Sequence, residues 1–111
     1  MAKAEFIGEF EQLVLLAVLR CGEDAYGVSI GAEIRRQTGR SSSRGALYVT
    51  LERLEKKGYL QSRLADSSQQ RMGRPRRYYR LCPAALKALR TQRQALLSMW
   101  EGFEEELEPS S

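Results

Sequence analysis

Arg71-Met72-Gly73-Arg74-Pro75-Arg76-Arg77-Tyr78-Tyr79-Arg80 is the stretch on which the reading of this chain turns. Five arginines in ten residues surround a Gly and a Pro and run into two tyrosines. Lone guanidinium groups are too costly to bury without partners, so the segment belongs in solvent or against an anion. Gly73 and Pro75 predict a turn, and the β-prone Tyr78-Tyr79-Arg80-Leu81 predicts a strand leaving it. A basic turn between two short strands has the shape of a nucleic-acid-binding wing; the alternative is a solvated charged loop.

Working outward, the flanks support the wing. Leu60, Ser62 and Leu64 alternate as a strand does, and Asp66-Ser67-Ser68-Gln69-Gln70 is polar and turn-like. Before that strand, Leu47, Leu51 and Leu54 recur at helical spacing, with Ser41-Ser42-Ser43 as N-cap candidates and Lys57-Gly58 closing the helix. A second helix is expected from an Asp24 N-cap to about Thr38, with Tyr26, Ile30 and Ile34 on one face and Gly39 ending it. Gly27 and Gly31 weaken that helix on propensity alone, and close packing against a neighbour would justify them. Phe10 to Arg20 is apolar on nearly every side, which predicts a buried first helix stopped at Cys21-Gly22. After the wing, Pro83 suits the first turn of a long fourth helix, Ala84 to about Leu107. Three helices, a hairpin and a long helix make a mainly α (α+β) chain with a winged helix-turn-helix over residues 1–83 and a dimerisation helix and tail over 84–111.

Charge is distributed in blocks. Residues 1–66 carry ten basic and nine acidic groups, residues 67–100 carry eight basic and no acidic ones, and residues 101–108 carry five glutamates. This pattern points to a polyanion-facing region with an acidic end turned away from it. At 111 residues the chain has room for one core. Its longest apolar run, Leu13 to Leu19, is far short of the roughly 20 residues a bilayer requires, so no membrane partner is expected. Glu5, Glu9 and Glu11 interrupt any signal-peptide pattern. Cys21 and Cys82 are isolated and there is no histidine, so disulfide, metal and other cofactor sites have no support; the thiols are expected as small buried hydrophobes and the compartment as cytoplasmic.

The residues also resemble a known family. Leu13-Val14-Leu15-Leu16-Ala17-Val18-Leu19, Ala25-Tyr26-Gly27-Val28, the block Gly45-Ala46-Leu47-Tyr48-Val49-Thr50-Leu51-Glu52-Arg53-Leu54-Glu55-Lys56-Lys57-Gly58, and Gly73-Arg74-Pro75-Arg76-Arg77-Tyr78-Tyr79-Arg80-Leu81 are similar to the PadR-type transcriptional regulators, over about residues 8–100. The resemblance implies a dimeric bacterial transcription factor, usually a repressor, that binds operator DNA through a winged helix-turn-helix. Some relatives sense phenolic acids, and others flat cationic drugs at the dimer interface. A single carboxy-terminal helix is similar to the short subfamily. The chain departs from the family where Leu-Thr-x-x-Gly is usual and Leu81-Cys82-Pro83-Ala84-Ala85 stands instead. A thiol caps a helix poorly, and Pro83 compensates in part.

On the third helix, Leu47, Leu51 and Leu54 define the core face, with Arg44 about 60° and Tyr48 about 100° from it. The amino-terminal turn therefore exposes Ser42, Ser43, Arg44, Gly45, Tyr48 and Val49 together, where a recognition helix enters the major groove. Arg44 suits bidentate reading of guanine, Tyr48 a phosphate or sugar contact, and Gly45 close approach of backbones. Arg53 completes the DNA-facing set on this helix. The competing readings are a solvated Arg44, a half-buried Tyr48 and a Ser43 that is an N-cap; the last does not exclude contact. In the wing, Gly73-Arg74-Pro75 equals the core of an AT-hook, and Pro75 holds Arg74 extended for entry into a narrow minor groove. Arg71, Arg76 and Arg77 would then flank it at phosphates. Met72 stands where an AT-hook has arginine, so a general phosphate-binding wing remains the alternative.

Leu86, Leu89, Arg93, Leu96, Trp100, Phe103 and Leu107 are spaced as a heptad seam with one charged intruder. A helix of about 24 residues spans about 36 Å, too long for so small a domain to cover, so a homodimer is expected through Leu86, Leu89, Leu96, Trp100, Phe103 and Leu107. Folding back of the stripe onto the first helix is the alternative. Two copies of Trp100, with Leu96, near a dyad would stack on a small aromatic effector; otherwise Trp100 is a knob in the seam. An enzyme is disfavoured by the absence of histidine, metal-ligand clusters and a phosphate-cradling loop. The leading expectation is a sequence-specific regulator of a palindromic double-stranded DNA operator; the other is a winged-helix module for protein or RNA.

Overall fold

Apolar residues at Val14, Leu15, Ala17 and Val18 drive the first helix, α1 (Glu9–Cys21), into the centre of the domain. The computed structural model describes residues 6–65 and 76–108. Glu11 opens α1 by accepting the Gly8 N–H at 3.2 Å, and Gly22 ends it at φ 61°, a left-handed value that glycine takes at little cost.

Asp24 does not cap the second helix; it closes a short 3-10 turn, Gly22–Asp24, and α2 begins later, at Gly27–Thr38. The reason lies in the hairpin. Tyr79 N–H donates to Ala25 O at 2.8 Å and Tyr26 pairs with Tyr78, so residues 25 and 26 are held extended. Ser29 supplies the capping contacts instead, accepting Tyr26 N–H at 3.0 Å and donating to Asp24 O at 2.5 Å. Gly39 terminates α2 at φ 75° as expected.

α3 (Arg44–Lys56) starts at Ser43, whose Oγ accepts the Ala46 N–H at 3.0 Å. It buries Leu47, Thr50, Leu51 and Leu54, and Gly58 at φ 83° turns the chain out of it. Strands β1 (Leu60–Leu64) and β2 (Arg77–Leu81) pair antiparallel, from Leu60 opposite Leu81 to Leu64 opposite Arg77. Both ends of the expected hairpin stand. Leu15, Ile30, Leu51, Leu54 and Leu60 are fully buried where α1, α2, α3 and β1 meet, each stabilising by about 1.5–3 kcal/mol relative to exposure.

α4 (Pro83–Trp100) begins with Pro83 in its first turn and no side-chain cap from Cys82. Ala85 and Leu89 enter the core, and Gln92 clamps the amino-terminal segment: its Oε1 accepts Ile7 N–H at 2.6 Å and its Nε2 donates to Ile7 O at 2.9 Å. The helix is shorter than its spacing predicted. It stops at Trp100, Gly102 turns at φ 90°, and Glu104–Leu107 form a 3-10 turn. Glutamates at the negative end of a helix dipole are unfavourable, the last turn holds no cation, and the glycine offers an exit. Phe103 and Leu107 therefore lie beyond α4, and Leu89 belongs to the core of its own chain. The thiols are half-buried and unpaired, with Cys21 Sγ donating to Ser29 O at 3.6 Å. No helix among the described residues is long and apolar enough to cross a membrane.

Candidate nucleic-acid interface

The α2–α3 corner fixes how α3 presents its first two turns. With Leu47, Thr50 and Leu51 turned inward, Arg44, Gly45, Tyr48 and Val49 remain exposed, with Ser43 exposed at the cap and Ser42 half-buried beside it. An open notch runs between the length of α2 and the start of α3, lined by Gly27, Val28, Arg35, Ser42, Arg44 and Tyr48. Among the described residues neither Arg35 nor Arg44 pairs with a carboxylate. Two uncompensated guanidinium groups beside a phenol and a hydroxyl form a surface suited to an anionic partner. The tyrosine ring packs over Gly27, which it buries.

Arg53 lies elsewhere. It sits a further two turns along α3 with its guanidinium 3.9 Å from Glu11, beside Lys57, whose Nζ reaches the same carboxylate at 3.2 Å. The structure thus brings Ser42, Ser43, Arg44, Gly45 and Tyr48 together and leaves Arg53 on the flank facing α1. Other arginines near the corner are committed too. Arg20 and Arg36 bind Glu33 at 2.7 and 2.6 Å, and Arg40 binds Glu9 at 2.8 Å while stacking on Phe10.

The loop-proximal end of the hairpin holds a cluster that sequence reasoning missed. Arg76 lies 4.1 Å over the ring of Tyr26 and donates to the Tyr78 hydroxyl at 3.5 Å. Tyr26 and Tyr78 meet edge to face at 5.7 Å, and Arg63 covers the other ring from 4.9 Å. The bond to Tyr78 holds the Arg76 guanidinium still more firmly in its charged form. The signal was present in the period-2 rule: of two adjacent tyrosines in a strand, one faces in and the other out. Tyr79 is the inward one, and burial pushes its hydroxyl pKa up. Arg63, opposite Tyr78 in the register, follows from the same rule.

Arg77 donates to Ser62 Oγ at 2.9 Å across the hairpin and stays exposed, and Ser62 donates in turn to Glu55 of α3 at 2.7 Å, tying the hairpin to that helix. Arg80 forks onto Gln61 Oε1 at 2.7 and 3.0 Å. Arg71 and Arg74, with the whole Gly73-Arg74-Pro75 tripeptide, lie outside the described residues. Leu86, Leu96 and Trp100 are exposed on α4, and Phe103 and Leu107 are exposed after it.

The model of the Transcriptional regulator PadR-like family matches residues 15–91, which contain the α2–α3 corner and the hairpin. No curated protein sequence matches significantly. Among solved structures, a PadR family transcriptional regulator from Eggerthella lenta is similar at 27% identity and TM-score 0.65, covering 92% of this chain and 88% of that one. A PadR-like transcriptional regulator from Bacillus cereus superimposes at TM-score 0.68 with 22% identity, over 91% and 93% of the two chains. RosR of H. salinarum shares the fold at TM-score 0.71 and 20% identity, over 93% and 86%.

Proposed function

The chain belongs to the PadR-like family of transcriptional regulators, DNA-binding proteins and not enzymes, and from that premise we propose a sequence-specific repressor of a palindromic operator, acting in the cytoplasm as a homodimer. The observation that carries the proposal is the notch at the start of α3, where among the described residues Arg44 and Arg35 stand without carboxylate partners beside Tyr48 and Ser42. α3 enters the major groove by this end, so Arg44 reads a base edge while Ser43 and Gly45 pass close to the backbone. Arg76 and Arg77 of the hairpin, with Arg71 and Arg74 beyond them, meet phosphates on the flank. Leu86, Leu96 and Trp100, extended by Phe103 and Leu107, cover one another across a dyad, and a small aromatic effector held by Trp100 and Leu96 there releases the DNA.

Binding to DNA upstream of the chain's own gene, with RNA of equal length as competitor, tests this reading. Arg44→Ala is expected to lose about 1–3 kcal/mol on that DNA and little on random sequence. Arg76→Ala should weaken all sequences alike and lower the log–log salt slope by roughly 0.9 for each phosphate it leaves unneutralised. Equal loss by Arg44→Ala on specific and random DNA removes the base-reading role; full competition by RNA removes the operator itself.

A further inference from the structure

Gly27 begins α2 with an ordinary negative φ, so its backbone alone does not call for glycine. What calls for it is Tyr48. A Cβ built on Gly27 would collide with the Tyr48 hydroxyl and lie 2.7 Å from Cζ and 3.2 Å from Cε1. Real Cβ atoms do not approach carbon so closely, so any other residue at 27 would push the phenol aside. Gly31, one turn on, is different: its Cβ would meet Leu47 Cδ2 at 3.6 Å, an ordinary contact. Only one of the two helical glycines is therefore a spacer for a side chain of α3.

The consequence is separable from folding. Tyr48 is 44% exposed and the colliding atoms are the far end of its side chain, so the ring can move into solvent without disturbing the core. Alanine also has the higher helix propensity, most in a helix interior and less at the first turn. Glycine at 27 thus gives up some helix stability and in return sets the position of one exposed phenol. That phenol is laid across the start of α2, the helix that crosses the DNA backbone in a helix-turn-helix, while Arg44, one turn back on α3, lines the same notch.

We infer that Gly27 is a positioning residue for DNA binding, acting through Tyr48, whose hydroxyl it holds over the first turn of α2 to donate to a backbone phosphate. The inference rests on the reading of Tyr48 as a DNA contact and adds which part of the DNA it meets and what aims it. A neutral donor releases no condensed counterion, so this contact contributes affinity without contributing to the salt slope, unlike the arginines. It also carries no sequence discrimination.

The test uses the full chain, a labelled mixed-sequence duplex, and four variants: Gly27→Ala, Tyr48→Ala, their combination, and Tyr48→Phe. Tyr48→Phe is expected to weaken binding by roughly tenfold or more, the worth of a hydrogen bond to a charged acceptor, with the salt slope unchanged. Gly27→Ala should weaken binding to a similar degree while its melting temperature stays equal to or above that of the parent. The combined variant should bind no worse than Tyr48→Ala. Wild-type binding by Gly27→Ala overturns the inference, as does a clear drop in its melting temperature, which would place the glycine in packing. Full additivity of the two alanine variants overturns it too, since Gly27 would then act on its own. If Tyr48→Ala binds like the parent, the reading of Tyr48 as a DNA contact fails, and the role of Gly27 with it.

Discussion

The body of the chain, up to Gln92, and the stretch from Leu96 to Glu108 are made of the same two materials, large apolar side chains and glutamates. In the body many of these are matched within the chain, although Glu23 and Glu52 meet no cation among the described residues and Leu19 and Val28 stay exposed. Leu15, Leu51 and Leu54 are fully buried, and Glu9, Glu11 and Glu33 each meet a cation between 2.6 and 3.2 Å away. In the carboxy-terminal stretch neither is matched. Met99 is 77% exposed, Phe103 56% and Leu107 60%, and among the described residues no cation pairs with Glu101, Glu104, Glu105, Glu106 or Glu108. A run of exposed apolar residues this dense on a small protein marks a surface meant to be covered. The body is held largely by its own chain, and the stretch leaves exposed the surface that the proposed second copy would cover.

The widest gap between the two regions should appear when each loses one large side chain. Leu51→Ala opens a cavity where α1, α3 and the hairpin meet, and is expected to lower unfolding free energy by about 2–5 kcal/mol in a denaturant titration. Trp100→Glu should leave unfolding of the dilute chain within about 0.5 kcal/mol of the parent, as surface substitutions do. Its effect belongs in sedimentation, where like charges facing across a dyad should shift the protein toward monomer. If Trp100→Glu destabilised the dilute chain as much as Leu51→Ala, the stretch would be part of the fold. A parent that sediments as a monomer at tens of micromolar would remove the dimer.

Between the regions stands Gln92, the last side chain of α4 that the body holds. Its amide satisfies both the N–H and the C=O of buried Ile7, and Gln92→Ala leaves those groups without a partner. An expected loss of about 1–3 kcal/mol, with faster amide exchange at Ile7, would place the boundary here. No change would move it back to Leu89.

How far each region was legible from sequence follows the same division. Period and punctuation exposed the ends of α1, α2 and α3 because Gly22, Gly39 and Gly58 all act locally, through positive φ. The heptad spacing misjudged α4 because spacing records where side chains would fall on an unbroken helix, and does not register that Gly102 breaks it or that Leu89 is already buried. Asp24 failed as a cap because strand pairing from Tyr78 and Tyr79 holds residues 25 and 26 extended, a contact more than fifty residues away in the chain. The grouping of the candidate residues was legible on α3, where the start of the helix exposes Ser43, Arg44, Gly45 and Tyr48 together. It was not legible where two elements meet: the Arg76, Tyr26, Tyr78 and Arg63 stack, the diversion of Arg53 to Glu11, and the seat of Tyr48 on Gly27 are all tertiary contacts.

The smallest expected effect concerns charge alone. Glu33 accepts hydrogen bonds from Arg36, Arg20 and Gln37, and these hold its pKa at about 2, against an ordinary value of 4.5. The folded-state value lies below the unfolded one, so the stabilisation is fully present above about pH 4.5 and is lost as pH falls toward 2. The unfolding transition should therefore weaken with acid across this window in the parent, and less so in Glu33→Gln, whose amide does not titrate. Both arginines are largely in solvent, so screening keeps the difference small, and added salt should shrink it further. The measurement is a pair of thermal melts at intervals between pH 4.5 and 2, compared as a difference between the two proteins. Parallel curves would mean that a paired glutamate of the body is no more committed to the fold than an unpaired one after Trp100. The contrast between the two regions would then rest on their apolar residues alone.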